Sequence, residues 1–378
     1  MTKPQTNAEF LSARPLYSQS SSQLRAYVDE AVDWEATHGL LLRAPKLDGD
    51  DWLATALVPA PVALAPSPIP RSEFDKVVAL QPVFNQLFDR VARDHDFLTS
   101  TLESLGSADE FTLRILAMYI QQRVLGVWKP GVVGIHRSDY LIHAPENEPD
   151  ASPLAKQVEF NTIASSFASL SSIVGDFHRH MLAKTEYKDM LQAGNMTKDQ
   201  LPANESLTSI ADGLAAGFKL YGNTRYVDDQ QAAELVRECF VGLYPLDNTS
   251  EGQQAYDLAM ANPSNYVVKP QREGGGYNTY GDDIPKLLSS LSDEERKGYI
   301  LMDLIRAPGF KNVLLRNGQL VASEVVSELG IYGVWVSDTN GDVVINRSGG
   351  HLLRTKASDV YEGGVAAGFA VIDSPLLI

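Results

Sequence analysis

Apolar positions along the chain recur either every three to four residues or every second residue, and these two rhythms predict where it is helical and where it is extended. Leu24, Tyr27, Val28, Ala31 and Val32 fall at helical spacing, and Gly39 is the expected stop. The stretch VPAPVALAPSPIP, ending at Pro70, carries a proline every few residues. That forbids a helix and predicts an extended edge or a polyproline-like connector. Ser72 opens a second helical pattern through Phe74, Val77, Val78, Phe84, Leu87, Phe88 and Val91, with a kink expected at Pro82. A third helix is expected behind a capping box of Ser107 and Glu110, with Phe111, Ile115, Met118 and Tyr119 as its apolar face.

Alternation then replaces the helical rhythm. VLGVWKPGVVGIHRSDYLIH reads as strand from Lys129 to His143 and ends in the polar cluster Arg137-Ser138-Asp139-Tyr140, which reads equally as a solvated turn. In VEFNTIASSF, Val158, Phe160 and Thr162 alternate with Glu159 and Asn161, so the last two share one face of a strand. Residues 176–220 read as helical, NTRYVDDQ as a short connector, and AAELVRECFVGLY as a further helix. The C-terminal third turns to β structure. YILMDLI is an apolar strand with Asp303 near its end, and Asn317-Gly318 and Asn340-Gly341 are hairpin signals between apolar runs. The tail brings Arg354 and Lys356, then a small-residue loop from Gly363 to Gly368. No internal repeat is visible.

Composition narrows the function. A chain of 378 residues with 44% hydrophobic and 21% charged residues is an ordinary globular protein of two or three structural units. Its net charge of −16 opposes binding to a phosphate backbone, so nucleic acid is not an expected partner. Any nucleotide site must create its own positive field. Cys239 is the single cysteine, which excludes an internal disulfide and a cysteine-rich zinc site; its apolar context predicts a buried thiol. The N-terminus is polar and no apolar run reaches membrane-spanning length, so no membrane partner and a cytoplasmic location are expected.

Candidate chemistry centres on YVVKPQREGGGYNTYG, residues 266–281. A β-branched run delivers Lys269, and three consecutive glycines follow the charged turn. Glycine lets backbone amides approach an anion closely, and such amides with a nearby lysine suit phosphate. Glu273 is a carboxylate available to Mg²⁺, as are the oxygens of Glu159 and Asn161. A flexible surface loop and an exposed strand face are the competing readings.

Taken together, PVALAPSPIPRSEF, IHRSDY, VEFNTIASSF, KPQREGGGYNTYG, YILMDLI, SELGIYGVWV and GHLLRTKASDVYEGGVAAGFAVID resemble the eukaryotic glutathione synthetase family of the ATP-grasp superfamily. The blocks run in the family's order from about Pro61 to the end. The resemblance implies an α/β (α+β) ATP-grasp fold with mixed and antiparallel sheets and flanking helices. It implies an N-terminal helical and extended region over residues 1–110, a central part with the metal-binding strand over 111–222, and a C-terminal part with the glycine-rich loop over 223–378. Glu159, Asn161 and Glu273 match the family's Mg²⁺ ligands. Lys269, Gly274, Gly275, Asn278, Tyr280, Met302, Asp303, Ile305, Glu328 and Lys356 match its ATP contacts. Arg137, Ser166, Arg354, Val365 and Ala366 match its substrate or product contacts, with Arg354, Lys269 and Arg137 in catalytic roles. Ala164 stands where the family has a substrate-contacting serine, and Asp303 where it has a glutamate near the adenine.

The chain departs from this family in length. Between Gly222 and Gly242 it has only the short connector and helix, where the family carries roughly a hundred more residues forming the substrate domain that grips γ-glutamylcysteine. Arg225 and Arg237 are the local candidates to compensate. The expectation is therefore a Mg-ATP-dependent phosphotransferase acting on a small-molecule or peptide-like acceptor, more kinase-like than ligase-like. The alternatives are a glutathione synthetase, joining γ-glutamylcysteine and glycine through an acylphosphate, and a non-catalytic ATP-binding regulatory protein. The resemblance also implies a homodimer.

Overall fold

The computed structural model describes residues 21–43, 57–103, 109–125, 131–145, 148, 150–162, 165–184, 187, 196–220, 239–270, 277–316, 319–338, 340–360, 365 and 368–378. Its strands are β1 (Leu41–Arg43), β2 (Leu57–Pro59), β3 (Val62–Ala63), β4 (Ser67–Ile69), β5 (Val132–His143), β6 (Leu154–Asn161), β7 (Leu243–Pro245), β8 (Tyr266–Pro270), β9 (Thr279–Tyr280), β10 (Tyr299–Asp303), β11 (Phe310–Arg316), β12 (Gln319–Ser337), β13 (Val343–Ala357), β14 (Ala370–Asp373) and β15 (Pro375–Leu377). Its α-helices are α1 (Ser21–His38), α2 (Arg71–Arg93), α3 (His95–Glu103), α4 (Glu110–Val124), α5 (Ala168–Leu182), α6 (Ser206–Leu220), α7 (Ser250–Ala261), α8 (Asp283–Ser290) and α9 (Asp293–Arg296).

The central sheet runs β11–β3–β14–β13–β12–β5–β6 and is antiparallel except where β14 meets β3. Alternation along its strands gives it two apolar faces. On one, Tyr140, Ile142, Ala155, Leu329, Ile331 and Leu353 pack against Phe74, Val77, Leu80 and Phe84 of α2. On the other, Val313, Leu315, Tyr332, Leu352 and Ile372 meet Val174, Phe177 and Met181 of α5 and Val28, Ala31 and Trp34 of α1. Helix α6 lies on this second face, and two glycines let it come close: a Cβ on Gly213 would fall 2.3 Å from Val334, and one on Gly217 2.2 Å from Val133. These helices cover one end of the strands and leave the other end of the face to polar side chains. A second, four-stranded sheet, β7–β10–β8–β9, carries α7 and α8 on one side through Leu246, Ala255, Val268, Ile284 and Leu301.

Several predicted elements are present. Helix α1 stops at Gly39, whose φ of 75° suits glycine. The β12–β13 hairpin turns through Gly341 at φ 86°, and the β11–β12 register closes on Arg316 and Gln319 around the Asn317-Gly318 pair, itself outside the described residues. Helix α2 runs through Pro82 without interruption. Residues 232–238 of the predicted helix AAELVRECFVGLY lie outside the described residues; beyond them Cys239 is buried, and Leu243 to Pro245 is strand rather than helix.

Three expectations need correction. The edge reading of the proline-rich stretch fails only at β3, which lies between β11 and β14; β2 and β4 each pair with a single strand in a two-stranded sheet. Pro61 accepts a hydrogen bond from Ile372 through its carbonyl. Helix α4 is capped by Asp109, which accepts from Phe111 N and Thr112 N, not by Ser107, which is outside the described residues. Its apolar face is not buried either. Phe111, Ile115 and Met118 are 68%, 52% and 65% exposed, because among the described residues only Leu116 of this helix turns into the fold.

A buried polar network ties the C-terminal strands together. Asp373 accepts from Ser67 Oγ at 2.5 Å, Thr355 Oγ1 at 2.6 Å and Ser374 N at 2.7 Å. Burial pushes its carboxyl up to about 7 despite these donors. The fold thus keeps a proton that the unfolded chain has already released, and this contribution disappears as pH rises through 7. Urea unfolding of wild type should lose about 1 kcal/mol between pH 6.5 and 8 that Asp373→Asn does not lose. Equal slopes for the two proteins would remove the proton from Asp373.

Candidate active site

Residues directly opposite one another in a ladder project from the same face. Arg137 on β5 lies opposite Asn161 on β6 and Tyr332 on β12, and Asp139 lies opposite Glu159 and Gly330. One step along, Glu328 lies opposite Arg354 on β13, and Lys356 follows two residues later on the same face. Four adjacent strands therefore place these groups together, just beyond the end covered by α6. The cluster Arg137-Ser138-Asp139-Tyr140 is mid-strand and buried, so the solvated-turn reading does not hold.

Asp139 is the hub. It is fully buried and accepts from Arg137 Nε at 2.7 Å, Arg137 Nη2 at 2.9 Å, Asn161 Nδ2 at 3.1 Å and Arg354 Nη2 at 3.0 Å. Arg354 also pairs with Glu328. Gly330 makes room for the Arg137–Asp139 fork: a Cβ there would stand 2.6 Å from Asp139 Oδ1 and 2.9 Å from Arg137 Cδ. Burial pushes the Asp139 carboxyl up to about 6 against the pull of Arg354 and Arg137. Burial also opposes the charge on Glu328, but Arg354 and Lys356 outweigh it and hold that carboxyl below its usual range. Both guanidinium groups are likewise stabilised as cations by their carboxylate neighbours in spite of burial. The result is a fixed pair of guanidiniums on an otherwise acidic chain.

The metal reading can be tested on the donor atoms. Asn161 Nδ2 is engaged by Asp139 and by Glu159 Oε1 at 3.2 Å, which leaves the Asn161 carbonyl oxygen as a ligand. Glu159 is exposed and has no cation within ion-pair distance among the described residues. An amide oxygen and a carboxylate side by side are hard donors that fit Mg²⁺. Glu273, the third predicted ligand, lies outside the described residues, as do Gly274, Gly275, Ala164 and Ala366.

The four-stranded sheet supplies the facing wall. Lys269 pairs with Ile300, and Val267 with both Met302 and Tyr280, so these five share the face opposite α7 and α8. Lys269 is half-buried and donates to the Val158 carbonyl of β6 at 3.4 Å, which brings the second sheet up to the edge of the first. Burial lowers its pKa, while Glu159 and Glu328 act in the other direction. Asn278 Nδ2 donates to Tyr280 OH at 3.4 Å, and Ile305 sits half-buried just past β10. Asp303 points away from this wall: its carboxylate accepts from Gly242 N at 3.0 Å and Tyr244 OH at 3.4 Å. The Asp303 carboxylate is therefore turned from the face of this sheet that carries Lys269. Val365 is likewise turned into the core. Ser166 is exposed, and its carbonyl accepts from Tyr332 OH at 2.5 Å. Asp139 and Tyr332 are the site residues that the sequence reading missed. The alternation of Arg137 with Asp139 inside a strand was the available signal for the first.

A guanidinium and carboxylate cluster on one sheet, faced by a lysine on a second sheet whose strands β8 and β9 are joined by REGGG, defines an ATP-grasp enzyme. The model of the eukaryotic glutathione synthase ATP-binding domain matches residues 21–377, and the chain belongs to that family. Glutathione synthetase of Rattus norvegicus is 31% identical over 94% of this chain and 98% of its own length, and that of Homo sapiens 30% over the same shares. The chloroplastic glutathione synthetase of Solanum lycopersicum is 28% identical over 97% of this chain and 87% of its own. A glutathione synthetase-like effector from Globodera pallida, solved in its apo form, superposes with a TM-score of 0.70 over 96% of this chain and 98% of its own. At 18% identity this last likeness shows the shared fold. The alignment with the rat enzyme spans 478 positions, 100 more than the 378 residues of this chain, so at least that many have no counterpart here. No described helix is long and apolar enough to cross a membrane.

Proposed function

We propose that the protein is a Mg²⁺-requiring synthetase that joins γ-glutamylcysteine to glycine at the expense of ATP. The supporting observation is the buried Asp139, which fixes Arg137 and Arg354 side by side across from Lys269. Paired guanidiniums are suited to hold a carboxylate and then the phosphate built on it, because their forked donors match both groups. Lys269 holds the phosphate chain of ATP, and the glycine-rich run follows it in sequence. Arg354 and Arg137 orient the dipeptide carboxylate as it takes the γ-phosphoryl group and ADP departs. The glycine amine then adds to the acyl carbon, the amide bond forms, and inorganic phosphate leaves as the amine loses its proton. Glu159 and Asn161, with Glu273, would hold Mg²⁺, which supplies charge neutralisation at the phosphates when bound.

The kinase-like expectation is the weaker reading, since relatives that match nearly the whole chain carry the synthetase name. The shortening by at least 100 positions is the observation that keeps it as a second reading. A homodimer, which rests on family resemblance, and a cytoplasmic location belong to the same proposal. The test is incubation with Mg-ATP, γ-glutamylcysteine and glycine, read by mass. Glutathione and ADP in equal amounts support the synthetase. A dipeptide or other acceptor that gains a stable phosphate, without glutathione, supports the kinase. No ADP at all overturns both.

A further inference from the structure

We propose that Tyr332 is a positioning residue for the peptide substrate, anchoring the backbone of Ser166 to the sheet position opposite Arg137 without contributing to ATP binding. This inference rests on the synthetase reading above. Tyr332 is fully buried, and a buried phenol must find a partner. Its partner is distant in sequence: the hydroxyl donates to the carbonyl of Ser166, in the segment that leads into α5. In the sheet Tyr332 lies directly opposite Arg137, so the anchor stands at the inner end of the row Asn161, Arg137, Tyr332. A second bond, from Ser165 Oγ to the Ile135 carbonyl at 3.4 Å, pins the same segment two residues before Arg137.

The segment needs that restraint. Phe167 has φ 67° and ψ 11°, a left-handed conformation in a residue with a Cβ, and it is the only non-glycine residue of this kind among those described. Nor does its side chain cap α5. The cost of that conformation is of the same order as the net contribution of one hydrogen bond. Loss of the phenol bond is therefore comparable to what the strained turn costs, and leaves the weaker Ser165 bond as the remaining side-chain restraint. That loss leaves the Ser166 carbonyl without this donor and lets Phe167 relax, which frees the exposed Ser166 side chain to move. Lys269 and the second sheet are untouched by this change.

Tyr332→Phe removes only the hydroxyl. Amide hydrogen exchange of the substrate-free protein should quicken about tenfold in residues 165–170, with α2 unchanged. KM for γ-glutamylcysteine should rise about tenfold while KM for ATP stays within about twofold. Unchanged exchange in residues 165–170, or an unchanged dipeptide KM, overturns the assignment. So does a parallel rise in both KM values, which a general structural role would give. A wild-type protein that forms no glutathione overturns the synthetase reading instead. The exchange measurement needs no substrate and still decides whether Tyr332 holds the turn.

Discussion

Asp139→Asn is expected to lower kcat/KM about 1000-fold and to destabilise the fold by about 3 to 5 kcal/mol. The carboxylate neutralises two guanidiniums from different strands and accepts from a third strand through Asn161. An asparagine of the same shape carries no charge and turns a donor toward groups that only donate. Arg137 and Arg354 would then repel each other inside the sheet, with Glu328 left as the counter-ion of Arg354 alone. Removing one partner of a buried pair costs more than the pair contributes, because the remaining charge stays desolvated. Steady-state kinetics and urea unfolding check the two halves separately. A variant within about 1 kcal/mol of wild type would mean that water already screens the cluster.

Lys269→Met should raise KM for ATP about 100-fold and leave KM for the dipeptide nearly unchanged. Lys269 has only the Val158 carbonyl as a hydrogen-bond partner, and no carboxylate lies within ion-pair distance among the described residues. A half-buried ammonium in that state has donors to spare for an anion. Methionine keeps most of the stem that packs between the two sheets and removes the charge. The unliganded protein should melt at the same temperature or slightly higher, and the rise in Tm caused by Mg-ATP should be lost. A retained ATP-induced rise would take Lys269 out of the nucleotide site.

Local pattern carried much of this in the sequence. Alternation placed Glu159 and Asn161 on one face, and the two Asn-Gly pairs placed the β11–β12 and β12–β13 hairpins. Helical spacing found α1 and α2. What pattern could not give was partner strands. Arg-Ser-Asp-Tyr reads as polar and therefore as a turn until β12 is laid against it, with Gly330 leaving room for the charged pair. Val62 and Ala63, in the proline-rich stretch, read as part of an edge until β11 and β14 close around them. Helix α4 errs the other way: Phe111, Ile115 and Met118 of its predicted apolar face stay exposed, while Tyr119 meets His95 of α3. The direction of Asp303 followed from the pairing of β10 with β7 and β8, which no stretch of sequence around it reveals.

The position of β14 also bears on how the molecule is made. Residues 370–373 form an interior strand, paired with β13 on one side and, in parallel, with β3 on the other. Translation delivers β3 some three hundred residues earlier. Until residues 370–373 have cleared the ribosome, β3 has no neighbour on that side, and Arg354 has no finished strand behind it. Assembly of the catalytic sheet is therefore a late, long-range event, in which loop closure precedes the contacts that reward it. Until then a nascent chain has this sheet open, a state in which chaperones have reason to attend to it.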